Sequence, residues 1–243
     1  MDRIVVDRKV DIGKEVLVKG SPREALRFQG GRVGSLITLT DAGGKDFRGR
    51  VLRLSETEAS ILIFDAFPSS TESSLEIILL QGLPERDRME MIIQKATELG
   101  VSAILPFESE RSISLKEREM KQKKAHRWPS VAVKAVQQSR RAKVPYVGEC
   151  RPLQEALENC DEEGLRILLW EKEGKNLKSV LRQHPAQKIY IVVGPEGGFT
   201  EGEVEWAKEK RFIPVKLGQR ILRTETAAIT LVGILQYELG DLS

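Results

Sequence analysis

Residues 189–200 read IYIVVGPEGGFT, a run of β-branched and aromatic residues followed by a glycine-rich turn. The apolar run is typical of a strand that is buried on both faces, as in a parallel sheet. Gly194 and Pro195 end that strand, and Thr200 with Glu203 three residues later forms a capping box, the signature of a helix start. The stretch therefore predicts a strand, a tight glycine loop and a helix in that order.

The same arrangement recurs shortly afterwards. Residues 213–217, IPVKL, predict a short strand, and residues 218–228, GQRILRTETAA, predict a turn that leads into an apolar final helix at 222–239. Ligands of open α/β sheets bind where strands end and loops cross to helices. The two glycine turns therefore predict the main binding site of the chain.

Glycine has a physical use at such a turn. Without a Cβ, the backbone can adopt positive φ and approach a flat heterocycle such as adenine, which its N–H and C=O groups then bind. A turn of this composition is about as often a plain connection between a strand and a helix. Neither the phosphate-binding Walker pattern nor the dinucleotide-binding glycine spacing is present.

Strands and helices alternate upstream of this region. Residues 75–80 predict a strand, residues 84–99 predict an amphipathic helix that ends at Gly100, and residues 101–107 predict the next strand. Such alternation is typical of an α/β fold with a parallel sheet. The further predicted elements are a long helical region at 116–139 that Pro129 kinks or splits, a strand at 144–147, a helix at 153–157, a strand at 165–170 and a helix at 176–181.

The first 65 residues have a different pattern, because their apolar runs are short and separated by turn residues. These runs are 15–18, 35–40, 48–54 and 60–64, with a hairpin-type turn at 41–44. Closely spaced short strands predict a small barrel. Residues 66–74 contain one proline and four serines and predict a linker. We therefore expect two domains, at 1–70 and 75–243.

The composition describes a soluble and mildly basic protein. Of its 243 residues, 40% are hydrophobic and 31% are charged, and the net charge of +3 does not by itself indicate nucleic acid. Two cysteines and two histidines without ligand spacing predict neither a disulfide framework nor a metal site. The N-terminus lacks a signal-peptide core and no apolar run has membrane-spanning length, so we expect a cytoplasmic location and no membrane contact.

Positive charge is concentrated in residues 116–143. Ten lysines and arginines face only two acids, Glu117 and Glu119, in this segment. Contacts to phosphates supply most of the affinity of proteins for nucleic acids, so the segment is a candidate RNA surface. The alternative is an ordinary solvated helix face.

Two blocks resemble the RsmE family, the bacterial 16S ribosomal RNA uridine-N3 methyltransferases of the SPOUT, or trefoil-knot, superfamily. The blocks are GPEGGF at 194–199 and LGQRILRTETA at 217–227, and DRME at 87–90, IQKATELGV at 93–101 and SERS at 109–112 agree with them. The resemblance implies an α/β, parallel-sheet SPOUT domain at 75–243 with a C-terminal trefoil knot at about 165–240. It also implies a preceding PUA-like β-barrel at 1–70 that binds RNA.

The resemblance further implies S-adenosyl-L-methionine as the cofactor, 16S ribosomal RNA of the small ribosomal subunit as the partner, and a homodimer. The residues expected to bind the cofactor are Leu169, Gly194, Gly197, Leu217, Gly218, Ile221 and Leu222. The residues expected to bind RNA are Arg27, Arg32, Arg86, Arg88, Lys95, Arg111, Arg127, Arg140 and Arg141.

The chain departs from the family pattern at two places. In residues 23–35, Gly30 stands where the family carries arginine, and we expect Arg27 and Arg32 to substitute for it. Residues 138–141 read QSRR, so that Arg140 replaces a glycine of the family.

Methylation at uridine N3 requires loss of a proton from a group whose pKa is about 10, comparable to that of a phenol. We expect Arg220, with Arg223 beside it, to stabilise the negative charge that develops on the uracil oxygens. Glu196 and Glu225 are candidate bases. Glu225 is equally explained as an acid favoured by a helix start, and Glu196 as a residue that shapes its loop.

Two alternative functions remain open at this stage. One is an RNA-binding ribosome-assembly factor that has lost the chemistry. The other is a knotted methyltransferase with a different RNA target, such as a ribose 2′-oxygen.

Overall fold

The computed structural model describes residues 2–28, 30–67, 72–85, 88–117, 127–161 and 163–242. The chain forms two compact units. The first comprises residues 1–72 with 136–143, and the second comprises residues 73–135 with 144–243. 

The first unit contains a five-stranded sheet within the described residues. Its strands are β1 (Asp2–Val5), β2 (Glu15–Lys19), β3 (Leu36–Thr40), β4 (Asp46–Leu54) and β5 (Glu58–Ala66), in the order β1-β3-β4-β5-β2. Strands β1 and β3 are parallel and the other neighbours are antiparallel. Asp41 Oδ1 accepts hydrogen bonds from the N–H groups of Gly43 and Lys45, which confirms a tight turn between β3 and β4.

A helix interrupts this unit where the sequence predicts only β structure. Helix α1 covers Ser21–Phe28, so the interpretation of residues 1–65 as entirely β was wrong. Pro22 and Glu24 lie in its first turn, where a missing N–H and a negative charge are both favoured. Leu26 is fully buried among the strands' apolar side chains, so packing secures a helix too short to be stable alone.

The second unit contains eight strands in the described residues, and every neighbouring pair is parallel. The strands are β6 (Glu76–Gly82), β7 (Ala103–Glu108), β8 (Tyr146–Val147), β9 (Arg151–Pro152), β10 (Leu165–Leu169), β11 (Lys175–Asn176), β12 (Lys188–Val193) and β13 (Ile213–Lys216). Their order is β11-β13-β10-β12-β6-β7-β8, and β9 pairs with β7. The predicted α/β fold with a parallel sheet is thereby confirmed.

Both faces of this sheet are covered, which explains the continuous apolar runs. Along β12, Ile189, Ile191 and Val193 join the core on one face, while Tyr190 and Val192 join the core on the other. The helices are α2 (Arg88–Glu98), α3 (Trp128–Ser139), α4 (Leu153–Glu158), α5 (Leu177–Gln183), α6 (Glu201–Glu209) and α7 (Thr224–Leu239). Helices α2, α3, α5 and α7 contribute to the first core, and α4 and α6 contribute to the second.

Five helix predictions differ from the structure in their bounds, two of them by one or two residues, since α4 covers Leu153–Glu158 and α5 covers Leu177–Gln183. Helix α2 begins at Arg88, and residues 86 and 87 of the predicted helix lie outside the described residues. In the predicted helical region at 116–139, residues 118–126 also lie outside the described residues. Pro129 lies in the first turn of α3 and does not kink the helix. Helix α7 begins at Thr224 instead of 222, because Arg223 is extended, with φ −64° and ψ 151°.

The chain that leads into β11 lies against the backbone of its parallel neighbour β13 at very close range. A Cβ on Gly174 would lie 2.4 Å from the carbonyl carbon of Val215 and 2.5 Å from the nitrogen of Lys216. Strand β10 lies between β13 and β12 in the sheet. Helix α7, which follows β13, packs against α2, β6 and β12. Gly174 therefore occupies a point where two stretches of backbone leave no room for a side chain.

Replacing Gly174 with alanine is expected to destabilise the protein by about 1–3 kcal/mol, because the clash is with backbone and no rotamer relieves it. Urea unfolding measures this change. The control is Gly202→Ala in α6, whose Cβ would have only the Thr200 hydroxyl for a neighbour, at 4.0 Å. An unfolding midpoint equal to that of the wild type for Gly174→Ala would show that this close approach tolerates a methyl group.

Candidate functional site

A cavity of about 690 Å³ opens at the carboxyl ends of β10, β12 and β13 in the second unit. Its lining comes from residues 169–172, 193–199 and 215–224, together with Arg88 and Ala227. The volume falls within the usual range of small-molecule pockets. The two glycine turns thus lie side by side, as the sequence pattern predicts for strand ends of one sheet.

The residues expected at the cofactor all line this one cavity, and so do two of the three expected catalytic residues. They are Leu169, Gly194, Gly197, Leu217, Gly218, Ile221 and Leu222 from the first set and Glu196 and Arg220 from the second. The third expected catalytic residue, Glu225, does not line the cavity. It lies in the first turn of α7, directly after Thr224, which does.

The glycine loop at 194–198 requires glycine for two reasons, a positive φ at one residue and close approach of neighbouring atoms at two others. Gly198 adopts a φ of +66°, which other residues rarely take. A Cβ on Gly197 would lie 2.9 Å from the Cβ of Arg111, and one on Gly194 would lie 3.1 Å from the ring of Phe199. The loop is therefore shaped by close approach as well as by its turn.

Two side chains clamp the far end of this loop. Arg111 Nη1 donates to the carbonyl oxygens of Gly197 at 3.2 Å and Phe199 at 3.3 Å. Glu203 accepts the Thr200 N–H at 2.8 Å, and Thr200 Oγ1 accepts the Glu203 N–H at 3.2 Å, which confirms the predicted capping box. The second oxygen of Glu203 accepts the N–H of Glu110 at 2.9 Å. Arg111, expected at RNA, thus holds the glycine loop.

Arg88 joins two carboxylates at the rim of the cavity. Its Nη1 donates a hydrogen bond to Glu196, and its Nε lies 3.8 Å from Glu225 Oε2. The Glu196 carboxylate, as hydrogen-bond partner, raises the pKa of the Arg88 guanidinium. Glu196 also accepts the Glu85 N–H at both oxygens, at 3.0 and 3.2 Å. Glu225 Oε2, by contrast, is buried and accepts no hydrogen bond from the described residues.

The second turn presents charge and apolar surface to solvent. Arg220 and Arg223 are exposed and line the cavity. Ile221 between them also lines it and is 87% exposed, an unusual position for a large aliphatic residue. The rim therefore carries two positive charges beside an open cavity.

The remaining residues expected at RNA are spread over both units. Arg27, Arg32, Arg127 and Arg140 are exposed, and Lys95 pairs with Glu98 at 2.9 Å. Arg141 is buried and pairs with Glu72 at 2.8 Å, so a phosphate contact would require its guanidinium to leave that partner. Arg86 lies outside the described residues.

Sequence reasoning missed Gln81 and Thr224, which are buried beside the glycine loop and hydrogen-bonded to each other. The available signal was Gln81 itself, a lone amide at the end of the apolar strand EIILLQG. A buried polar side chain in a central strand indicates a specific hydrogen-bond partner.

Three further observations concern the described residues away from this cavity. No group of three or more His, Cys, Asp or Glu residues among them is arranged to hold a metal ion. Burial raises the pKa of the Cys160 thiol to about 12, which leaves it protonated at neutral pH. Within the same residues, no helix is both long and apolar enough to cross a membrane.

An all-parallel α/β sheet with a glycine-lined cavity at the carboxyl ends of its strands defines a cofactor-binding domain. Residues 71–236 match the RNA methyltransferase domain family. The chain is 31% identical over 211 residues to a ribosomal RNA small subunit methyltransferase E of Bacillus subtilis, covering 84% of this chain and 82% of the relative. It is 32% identical over 224 residues to the one of Aquifex aeolicus, covering 84% of this chain and 95% of the relative.

A solved structure agrees with the sequence relatives. It is a ribosomal RNA small subunit methyltransferase E from Neisseria gonorrhoeae bound to S-adenosyl methionine, with a TM-score of 0.78, 34% identity and coverage of 100% of both chains. The chain therefore belongs to the ribosomal RNA small subunit methyltransferase E family.

Proposed function

We propose that this protein transfers a methyl group from S-adenosylmethionine to N3 of a uridine in 16S ribosomal RNA of the small subunit. The observation that carries the proposal is the convergence of both glycine turns on one cavity beside the Arg88–Glu196–Glu225 charge cluster. Membership of the methyltransferase family supports the same activity. 

The cavity residues fit S-adenosylmethionine. Leu169, Leu217 and Leu222 offer apolar walls for a flat heterocycle, and the backbone around Gly194 and Gly218 offers N–H and C=O groups. A Cβ on Gly218, whose φ is +79°, would meet no atom within 4 Å, so its backbone is open to a ligand. When bound, S-adenosylmethionine supplies an electrophilic methyl group, which requires no metal.

The charged residues divide into three roles. Arg220 and Arg223 stabilise negative charge on the uracil oxygens as N3 loses its proton. Glu196 shapes the loop, because both of its oxygens already accept hydrogen bonds from the Glu85 N–H. Glu225 accepts the N3 proton, since its Oε2 has no competing hydrogen bond from the described residues; because this atom is buried and Glu225 does not line the cavity, the role requires the carboxylate to turn towards the bound base.

The finer architecture is also part of the proposal. A trefoil knot at about 165–240 is supported by the strand order β13-β10-β12 and by the return of α7, which follows β13, past β10 to pack on β12. A PUA-like barrel at 1–70, expected to bind RNA through Arg27 and Arg32, is consistent with the curled, mostly antiparallel first sheet and its continuous core.

A homodimer is supported by the exposed side of α7. Tyr237 there is 62% exposed, and Thr230 and Ile234 line a second cavity of about 410 Å³ against α5. Sedimentation equilibrium measures the association, and a single monomeric species at micromolar concentration would contradict it.

Mapping of modified nucleotides in ribosomal RNA tests the reaction directly. Small subunits from a strain that lacks the gene are incubated with the protein and S-adenosylmethionine, and mass spectrometry of RNA fragments locates the methyl group. We expect one uridine methylated at N3. Methylation at a ribose 2′-oxygen would support a different target, and binding of RNA without any methylation would support an assembly factor.

Arg111→Ala is expected to raise the dissociation constant for S-adenosylmethionine about tenfold, because two charge-assisted hydrogen bonds to the glycine loop are lost. Isothermal titration calorimetry measures this affinity. The matched control is Arg151→Ala, an exposed arginine in β9 that does not line the cavity. Unchanged affinity for S-adenosylmethionine with weakened RNA binding would assign Arg111 to RNA alone.

A further inference from the structure

Gln81 is a fully buried amide in the central strand β6. Its Nε2 donates to the carbonyl oxygen of Gly82 and to the hydroxyl of Thr224, each at 2.9 Å. Burial of an amide without such partners is unfavourable, so these contacts define the orientation of the side chain. Since the Gly82 carbonyl only accepts, the nitrogen of the Gln81 amide must face it, and the oxygen must face away.

Thr224 continues the chain of hydrogen bonds. Its side chain is buried at the first residue of α7, and its Oγ1 lies 2.6 Å from the carbonyl oxygen of Gly194. A hydroxyl has one hydrogen to give. Because Oγ1 accepts from Gln81, that hydrogen goes to Gly194, and the direction of the whole chain is fixed.

The chain ends at the first residue of the glycine loop. Gly194 and Thr224 belong to the two opposite stretches that line the cavity, 193–199 and 215–224. A Cβ on Gly82 would lie 2.7 Å from the nitrogen of Pro195, so the strand end and the loop meet without space for a side chain. One buried amide therefore connects the end of β6, the glycine loop and the start of α7.

We propose that Gln81 and Thr224 are positioning residues for S-adenosylmethionine, acting through the Gly194 carbonyl. The Thr224 hydroxyl fixes the Gly194–Pro195 peptide plane. It thereby holds the two stretches that line the cavity, 193–199 and 215–224, in a constant position relative to each other. Gln81 holds that hydroxyl in its donating orientation. This inference rests on the proposed function, because it assigns to these residues the shape of the cofactor cavity.

Loss of the hydroxyl leaves the half-buried Gly194 carbonyl and one N–H of the fully buried Gln81 amide without a partner. Both groups can recover hydrogen bonds only if the loop moves or water enters. Threonine and valine have nearly the same shape, so Thr224→Val removes the hydroxyl and its hydrogen bonds with little change of side-chain volume. Thr224→Ser keeps the hydroxyl and removes only a methyl group.

The test compares affinity and turnover in Thr224→Val, Thr224→Ser and Thr226→Val, the last being the same exchange at an exposed threonine of α7. Thr224→Val is expected to raise both the dissociation constant and the KM for S-adenosylmethionine about tenfold or more, and kcat at saturation to stay within about threefold. Thr224→Ser and Thr226→Val are expected to bind like the wild type. The proposal would be overturned if Thr224→Val bound S-adenosylmethionine with wild-type affinity. It would also be overturned if Thr224→Ser lost as much affinity as Thr224→Val.

Hydrogen exchange separates this inference from the proposed function. In the protein without S-adenosylmethionine, the amides of residues 196–199 are expected to exchange faster in Thr224→Val than in the wild type and Thr226→Val. If the wild type does not bind S-adenosylmethionine, the proposed function fails, and equal exchange in all variants overturns the positioning role independently.

Gln81→Met provides a second route should Thr224→Val fail to fold. It leaves the Thr224 to Gly194 hydrogen bond available and removes only the group that orients the hydroxyl. We expect a smaller rise of the same dissociation constant, about threefold, with the unfolding transition still cooperative. A folded Gln81→Met protein with wild-type affinity and wild-type exchange at 196–199 would contradict the role of Gln81.

Discussion

Arg220→Ala is expected to lower kcat by about 100-fold to 1,000-fold while the affinity for S-adenosylmethionine stays within about twofold. Arg220 is exposed at the rim of the cavity and forms no salt bridge within the described residues, so its charge is available to an incoming base. A positive charge beside the uracil oxygens stabilises the anion that forms as N3 is deprotonated. That anion exists only on the way to the transition state, so the loss falls on kcat.

Two variants sharpen this test. Arg220→Lys keeps a positive charge but loses the planar donor pair, so an intermediate kcat is expected. Arg182→Ala removes an exposed arginine of α5 that lies away from the cavity lining, and it is expected to behave like the wild type. Turnover that stays at the wild-type level in Arg220→Ala would remove this side chain from the chemistry.

Most elements of the second unit could be predicted from local patterns in the sequence. Strand β12 was predictable because its residues alternate between two buried faces, and α6 because Thr200 and Glu203 satisfy each other's backbone over three residues. Such signals act within one turn or one strand. For the same reason the sequence alone assigns the two glycine turns to one edge of the sheet.

The contacts that complete the site join residues far apart in the chain. Gln81 and Thr224 are separated by 143 positions, and Arg88 and Glu196 by 108. No periodicity or spacing encodes which buried amide meets which hydroxyl. Local sequence also failed at α1, because packing of Leu26 overrides the β character of its surroundings.

The cluster of Arg88, Glu196 and Glu225 shows that two acids with similar sequence context can have different contacts in the fold. The sequence left Glu196 and Glu225 as equal candidates for the base. Arg88 lies against both, yet only Glu196 also accepts a backbone N–H from Glu85. The structure thus gives the two acids different hydrogen-bond partners, a difference that the sequence alone does not show and on which the proposed role of Glu225 rests.

Glu225→Gln is expected to lower kcat by about 100-fold to 10,000-fold, the usual contribution of a positioned general base. Glutamine keeps the size of the side chain at the start of α7 and removes its ability to take a proton. Glu196→Gln is the matched comparison, because it changes the other carboxylate beside Arg88. It is expected to weaken S-adenosylmethionine binding with a smaller effect on kcat.

The pH profile distinguishes a lost base from a disturbed cavity. Without Glu225 the N3 proton must leave to solvent, and the ionised fraction of a group with a pKa of about 10 rises tenfold per pH unit below that value. The residual kcat of Glu225→Gln is therefore expected to rise with pH between about 7 and 9, with a steeper slope than that of the wild type. A profile parallel to the wild-type profile, displaced only downward, would mean that Glu225 supports the start of α7 and that another group takes the proton.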